Sequence, residues 1–363
     1  MKIGIIDADL LDGGTRHPNL ALMKISGYHK RLGDNVKLLT SYNDFDKYDI
    51  VYISKVFTYT LTPAGIENIK NVKIGGTGFF PDGSSYLEPE IEHHMPDYHL
   101  YDDYVYKKIA DGRSRSYYAD YLDYSIGFLT RGCFRKCPFC VNKRYDKVVK
   151  HSPISEFFDI NRKYIYLWDD NFLGYKNWSK ILNELEATNK PFQFRQGLDI
   201  RLLTEEKAKR LSKTKYRGDM IFAFDYIEDR NLIEKKLTLW RKYSNKTTKL
   251  FLLCAYERQD EIDIINLFER IKILMKYQCL PYIMRYEFYK ESNFRSLYVQ
   301  IARWCNQPRF FKKKSFREFC IANQMYHNGK GYCSSYVAMR DFENEFPDIA
   351  RMYFDIKFDQ KGE

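Results

Sequence analysis

The sequence predicts an α/β protein: a small parallel-sheet domain over residues 1–123, a partial (β/α)6 TIM-like barrel over 124–290, and a helical tail over 291–363. Three observations carry that prediction. Apolar runs of strand length alternate with amphipathic helical stretches in the front segment, and alternating runs of this kind imply parallel sheets with crossover helices. The same alternation recurs six times in the middle segment. From Glu291 onward the strand runs stop and the pattern is helical.

In the front segment, Lys2–Asp7 reads as the first strand. Asn19–Gly33 reads as an amphipathic helix with Asn19 as N-cap and Gly33 as its stop. Val36–Leu39, Ile50–Ser54 and Val72–Ile74 read as further strands. The loops Asp12–Thr15 and Gly75–Gly78 fall near strand ends, where open α/β sheets bind ligands. Neither matches a full dinucleotide fingerprint.

The middle segment begins with the strand Tyr124–Thr130 and a short helix Ile154–Ile160 behind Ser152 and Pro153. Then come the strand Tyr164–Trp168, the helix Trp178–Ala187, the strand Phe192–Gln196 and a helix starting at Thr204. Met220–Phe224, Asp229–Tyr243, Leu250–Leu253, Ile262–Tyr277 and Tyr282–Arg285 complete the alternation. In β/α barrels the chemistry sits at the carboxyl ends of the strands. Polar residues there are Asp169, Asp170, Asn171, Asp199, Arg201, Asp225, Glu257 and Arg285.

The first of those strand ends carries the strongest chemical signal in the chain. Cys133, Cys137 and Cys140 stand in the spacing C-x3-C-x2-C, directly after the apolar run Tyr124–Thr130. Thiolates are the usual protein ligands of iron–sulfur clusters, and three on one loop can hold three irons of a cubane and leave the fourth open to a ligand. A structural zinc site is the alternative, with His151 as the nearest candidate for a fourth ligand. A disulfide framework fits poorly, because three close cysteines leave an odd one.

This spacing, with Phe139 just before the last cysteine, resembles the signature of the radical S-adenosylmethionine (radical SAM) superfamily, as do the count and order of the βα units. The resemblance implies an enzyme holding a 4Fe-4S cluster on Cys133, Cys137 and Cys140. The open iron then chelates SAM, and reductive cleavage yields methionine and a 5′-deoxyadenosyl radical that abstracts hydrogen from substrate. It also implies a flavodoxin- or ferredoxin-like reductant. Phe139 is expected against the adenine, Asp169, Asp170 and Asn171 near the SAM amino group, and Asp199 and Arg201 in the pocket. Helix capping and an internal salt bridge are the alternatives for these polar residues.

The front segment resembles the Rossmann-like domain that precedes the barrel in cobalamin-binding radical SAM enzymes and in methylthiotransferases. No cysteine precedes Cys133 and no D-x-H-x-x-G motif is present. A second cluster in this domain is therefore not expected. Cobalamin, and with it a cobalamin-dependent radical methyltransferase, stays open, beside a degenerate domain that shapes substrate access.

Charge divides the chain. Residues 1–123 hold 14 basic and 18 acidic residues, and the remainder 45 and 30, within a total of +11. A basic back half suits an anionic substrate such as RNA or DNA, and equally a solvated lysine-rich surface. The tail interleaves Arg309, Lys312, Lys313, Lys314 and Arg317 with Phe310, Phe311 and Phe316, a combination suited to phosphate contact and base stacking. With zinc in the cysteine loop, that reading becomes a non-enzymatic nucleic-acid-binding protein. Cys305, Cys320 and Cys333 would have to converge to hold a second cluster. Eight cysteines without framework spacing suit a reducing cytosol, and no apolar run reaches the roughly 18 residues of a membrane span.

Overall fold

The first strand, β1 (Lys2–Asp7), buries every residue but its first, as a central parallel strand covered on both faces must. It belongs to a computed structural model described over residues 1–81, 86–142, 144–326 and 329–358. The chain divides into two compact units, 1–195 and 196–363.

In the first unit, β1 runs straight into α1 (Ala8–Asp12), which the sequence reading had left as loop; the Asp7 carboxylate accepts the Leu10 N–H and caps it. Helix α2 (Leu20–Arg31) is capped by Asn19, whose side chain accepts the Leu22 N–H at 3.2 Å. After it, Gly33 takes a φ of +82°, the left-handed turn that glycine makes without strain. Strands β2 (Asn35–Leu38), β3 (Ile50–Ser54) and β4 (Val72–Gly75) join β1 in an all-parallel sheet of order β2-β1-β3-β4. Three short helices follow, α3 (Pro89–Glu92), α4 (Asp102–Ala110) and α5 (Ala119–Asp123).

A second sheet in this unit positions the cysteines. Its strands are β5 (Tyr124–Gly127), then β8 (Tyr164–Leu167) and, after α6 (Trp178–Ala187), β9 (Phe192–Phe194), all parallel. Between β5 and β8 lies an antiparallel pair, β6 (Thr130–Arg131) with β7 (Val149–Lys150). The expected strand Tyr124–Thr130 therefore breaks after Gly127, and its end turns to form one arm of a hairpin. The expected helix Ile154–Ile160 is only a 3-10 turn, Ile154–Glu156, after Pro153.

The second unit alternates α7 (Glu205–Lys213), β10 (Met220–Ala223), α8 (Arg230–Tyr243), β11 (Thr248–Cys254), α9 (Glu261–Lys276) and β12 (Leu280–Arg285). Its sheet is parallel, in the order β10-β11-β12. The six strands expected of a partial barrel thus appear in order as two parallel three-stranded ladders. Helices α10 (Arg295–Cys305), α11 (Pro308–Phe311), α12 (Phe316–Ala322), α13 (Ser334–Glu345) and α14 (Pro347–Tyr353) complete the unit. Trp304, Phe311 and Phe316 are fully buried, and Phe268 of α9 packs on Trp304, Phe316, Tyr353 and Phe354.

Gly127 is the tightest point of the cysteine-bearing sheet. A methyl group there would overlap the ring of Phe157, itself 1% exposed. Gly127→Ala is expected to lower unfolding free energy by about 2–3 kcal/mol, the usual cost of overpacking a core. A thermal melt of the variant matching that of the native protein would show that Phe157 can withdraw freely.

Candidate cluster and cofactor site

The β6–β7 hairpin carries the cysteine loop. Its base is fixed by the pairing of Thr130 with Lys150 and Arg131 with Val149. Gly132 opens the loop at a φ of +93°, and a Cβ there would come within 2.5 Å of the Lys147 carbonyl and 2.6 Å of the Tyr145 Cβ. Only glycine satisfies both constraints. Lys136 takes a left-handed φ of +50° between the first two cysteines, and its ammonium pairs with Asp146 at 2.7 Å. The Cys140 N–H donates to the Cys137 carbonyl at 3.0 Å, closing the last turn.

Cys133, Cys137 and Cys140 are free and partly exposed. Main-chain N–H groups point at their sulfurs: Arg135 donates to Cys133 Sγ and Asn142 to Cys140 Sγ, each at 3.4 Å. Asn171 adds its side-chain amide, donating to Cys133 Sγ at 3.2 Å. Donors of this kind stabilise a thiolate against a thiol and tune cluster potentials. Among the described residues no group of three His, Cys, Asp or Glu is arranged to enclose a metal ion, so the thiols share the loop without forming a closed cage.

Two polar atoms beside the loop are buried and make no hydrogen bond among the described residues: Asn171 Oδ1 and Asn142 Nδ2. Such orphans are rare and ask for a ligand, ion or water. Together with three soft sulfur donors, they fit a cluster and a polar ligand at this loop. His151 does not complete a zinc set: its Nδ1 contacts Ser152 Oγ at 3.0 Å, its Nε2 faces Glu92 at 3.4 Å, and its ring stacks on His93.

The three residues after β8 divide the work of holding this loop. Asp169 is 1% exposed; its carboxylate accepts the Thr130 N–H at 2.6 Å, the Leu129 N–H at 3.2 Å and the Thr130 hydroxyl at 2.5 Å. It braces the β5–β6 turn. Asp170 accepts the Gly132 N–H at 2.6 Å and lies 3.7 Å from Arg131. Asn171 reaches Cys133. Phe139 is half-buried between Cys137 and Cys140. The sequence offered no signal for Asn171 as a sulfur ligand's partner, nor for Thr130 and Gly132 as the anchor points.

In the second unit Asp199 caps a 3-10 turn and accepts Arg201 Nε at 2.8 Å, while Arg201 Nη1 donates to Asp229 at 3.0 Å. The internal salt bridge expected as an alternative is present. The tail's rings do not form a stacking surface, since Phe311 and Phe316 lie in the core and Phe310 packs on Phe319. Arg317 is paired with Glu343 and Asp355. Cys305 and Cys320 are buried thiols, and with Cys333 they form no metal-binding trio among the described residues.

The carboxyl edge of the first sheet is closed by the chain itself. The Asp9 carboxylate accepts the Val56 N–H at 2.7 Å, the Phe57 N–H at 3.4 Å and the Thr60 hydroxyl, drawing the segment after β3 across the end of β1. Gly76 and Gly78 pack on that segment: a Cβ at Gly76 would collide with the Lys55 carbonyl, and one at Gly78 would lie 2.6 Å from the Phe57 carbonyl. These glycines serve the protein's own backbone. The Tyr42 hydroxyl is buried without a hydrogen bond among the described residues, and its pKa is pushed up to about 12, chiefly by burial and also by Asp12, Asp7 and Asp9. The residues at this edge do not fit a corrin.

This arrangement of sheets and helices is a radical SAM fold. Its likeness is to a solved structure of the radical SAM methyltransferase TsrM from Kitasatospora setae with cobalamin and a 4Fe-4S cluster bound: TM-score 0.52, 13% identity, 78% of this chain and 74% of that one. A structure of TsrM with tryptophan substrate and the SAM analogue aza-SAM gives a TM-score of 0.51 at 13% identity, covering 78% and 72%. No protein-family model matches the sequence, and no curated protein matches it.

Burial raises the Asp169 carboxyl to about 7, against the hydrogen bonds from Thr130 and Leu129, which favour its charged form. Asp7 is likewise pushed up to about 7 by burial. With folded pKa values above the unfolded ones, the native state holds protons that the unfolded state has released between about pH 4 and 7. Stability is therefore expected to fall as pH rises through that window. Asp169→Asn stays neutral throughout, so its urea midpoint should change less between pH 5 and 7.5 than that of the native protein. An unchanged slope would mean that Asp169 is ionised in both states.

Proposed function

We propose that this chain is a radical SAM enzyme that generates a 5′-deoxyadenosyl radical for hydrogen abstraction. One observation carries the reading: a C-x3-C-x2-C loop at the carboxyl end of a barrel-type strand, in a chain with the fold of a radical SAM methyltransferase. Cys133, Cys137 and Cys140 would hold the 4Fe-4S cluster, which supplies the electron that cleaves SAM. Asn171 steadies Cys133 and presents its free carbonyl beside it, suited to a ligand's ammonium or hydroxyl. Asp170 holds Gly132, and Asp169 holds the turn before it, so both act as positioning residues. Phe139 is assigned to the adenine, and Asp199 and Arg201 to the pocket wall, through the resemblance alone.

The second reading is cobalamin-dependent methyl transfer. The TsrM structures favour it, because that methyltransferase binds cobalamin. Against it stand the closed edge of the first sheet and the absence of D-x-H-x-x-G. A flavodoxin- or ferredoxin-like reductant and an anionic substrate complete the proposal, the latter on charge alone, since the tail's rings are core residues. Among the described residues no helix is long and apolar enough to cross a membrane.

Anaerobic reconstitution tests the cluster. The native protein is expected to turn brown and bind iron and sulfide, whereas replacing Cys133, Cys137 and Cys140 with Ala abolishes the charge-transfer absorbance near ~400 nm that thiolate-bound iron gives. A full iron complement in the triple variant would falsify the assignment. Reduced protein given SAM should release 5′-deoxyadenosine slowly even without substrate. S-adenosylhomocysteine as the main product would shift the conclusion to methyl transfer.

A further inference from the structure

The second unit carries a small cavity that the proposed cluster chemistry does not use. It lies at the carboxyl ends of β10 and β11, against α9, with a volume of about 50 Å³. Its lining includes Asp225, Glu228, Tyr256, Glu257, Asn266 and Arg270.

Arg270 is 2% exposed. Its Nη1 donates to the Phe224 and Asp225 carbonyls at 3.1 and 2.6 Å, and its Nε to the Asn266 carbonyl at 3.2 Å. Among the described residues Nη2 makes no hydrogen bond, and no carboxylate comes within ion-pair distance of the guanidinium. A buried charge without a direct counterion is costly unless something else meets it. Across the cavity, Asp225 uses Oδ1 to accept the Leu253 N–H at 3.2 Å, and its Oδ2 makes no hydrogen bond among the described residues. Burial raises the Asp225 pKa and lowers that of Arg270.

The exit of β11 is bent toward this cavity at some expense of backbone strain. Ala255 sits at a φ of +59°, and Asp263 holds it there, accepting the Ala255 N–H and the Tyr298 hydroxyl, each at 2.7 Å. Strain of this kind in a non-glycine residue concentrates at ligand sites. Beyond the turn, Tyr256 meets Tyr286 edge-on at 4.7 Å and lies parallel to Phe288 at 6.3 Å, which makes an aromatic rim.

We propose that this cavity binds the α-amino-acid head group of a small ligand, its carboxylate on Arg270 and its ammonium on Asp225. A simple anion would face Asp225, Glu228 and Glu257, and a simple cation would face Arg270. A zwitterion satisfies both. The volume admits a head group of a few atoms and no drug-sized ligand, which needs about 300 Å³ or more. The rim suits an attached ring. Free aromatic amino acids and SAM both carry this head group.

Calorimetric titration of the full chain tests the idea, with L-phenylalanine, phenethylamine, 3-phenylpropionate and SAM as probes. L-phenylalanine or SAM should bind, and for the former either truncated analogue should bind about tenfold more weakly, because a polar partner is left unmet. Asp225→Asn keeps the acceptor for Leu253 and should weaken the amino-acid ligand about tenfold while leaving 3-phenylpropionate unchanged. Arg270→Lys should weaken 3-phenylpropionate as well, with circular dichroism reporting its fold. Binding of L-phenylalanine alone assigns the site to a free amino acid; binding of SAM alone, or competition between the two, assigns it to SAM. Equal binding of all probes, no binding of either zwitterion at about 10 mM, or an indifferent Asp225→Asn would overturn the proposal. Iron content is measured separately, so this failure would leave the cluster assignment standing.

Discussion

The geometry of the cysteine loop depends on one buried carboxylate. Asp169, at the end of β8, accepts two main-chain N–H groups and a hydroxyl from the turn between β5 and β6. Without it those donors would be left in a dry interior, and an unmet buried donor costs about 1–3 kcal/mol. The clamp converts the end of a strand into the start of a hairpin, and Asp170 extends it to Gly132. Every cysteine on the loop inherits its position from these contacts. The residues expected nearest to SAM are thus, for two of the three, residues that hold the backbone still.

Asn171 sits at the boundary between support and chemistry. Its amide donates to Cys133 while its carbonyl stays buried and unmet. A thiolate accepting N–H and amide donors is easier to keep ionised, and the same donors temper the potential of any cluster it holds. The arrangement favours a soft metal centre with a polar ligand beside it over a closed four-ligand zinc site. His151, the available fourth ligand, is occupied with Ser152, Glu92 and His93 instead.

The first sheet illustrates how a fold outlives a binding role. Its topology is that of a ligand-binding parallel sheet, and its glycine loop lies where such sheets take ligands. Yet Asp9 ties the segment after β3 across the edge, and Gly76 and Gly78 make room for main-chain oxygens. The likeness to a cobalamin-binding enzyme therefore extends to the arrangement of strands and stops at the side chains that would receive a corrin.

The sequence by itself determined the order of strands and helices, the N-caps at Asn19 and Thr204, and the three cysteines, because periodicity, capping and thiolate spacing are local properties. Only the tertiary structure decided how the polar strand ends are used. Asp199 and Arg201 read as pocket residues until Asp229 completed their ion pair. Phe311 and Phe316 read as a stacking surface until α9 and α10 enclosed them. Arg270, spaced like any surface residue of a helix, became a buried charge because the ends of β10 supply it with carbonyls. Burial and partner choice arise from contacts distant in the chain, and no local pattern encodes them.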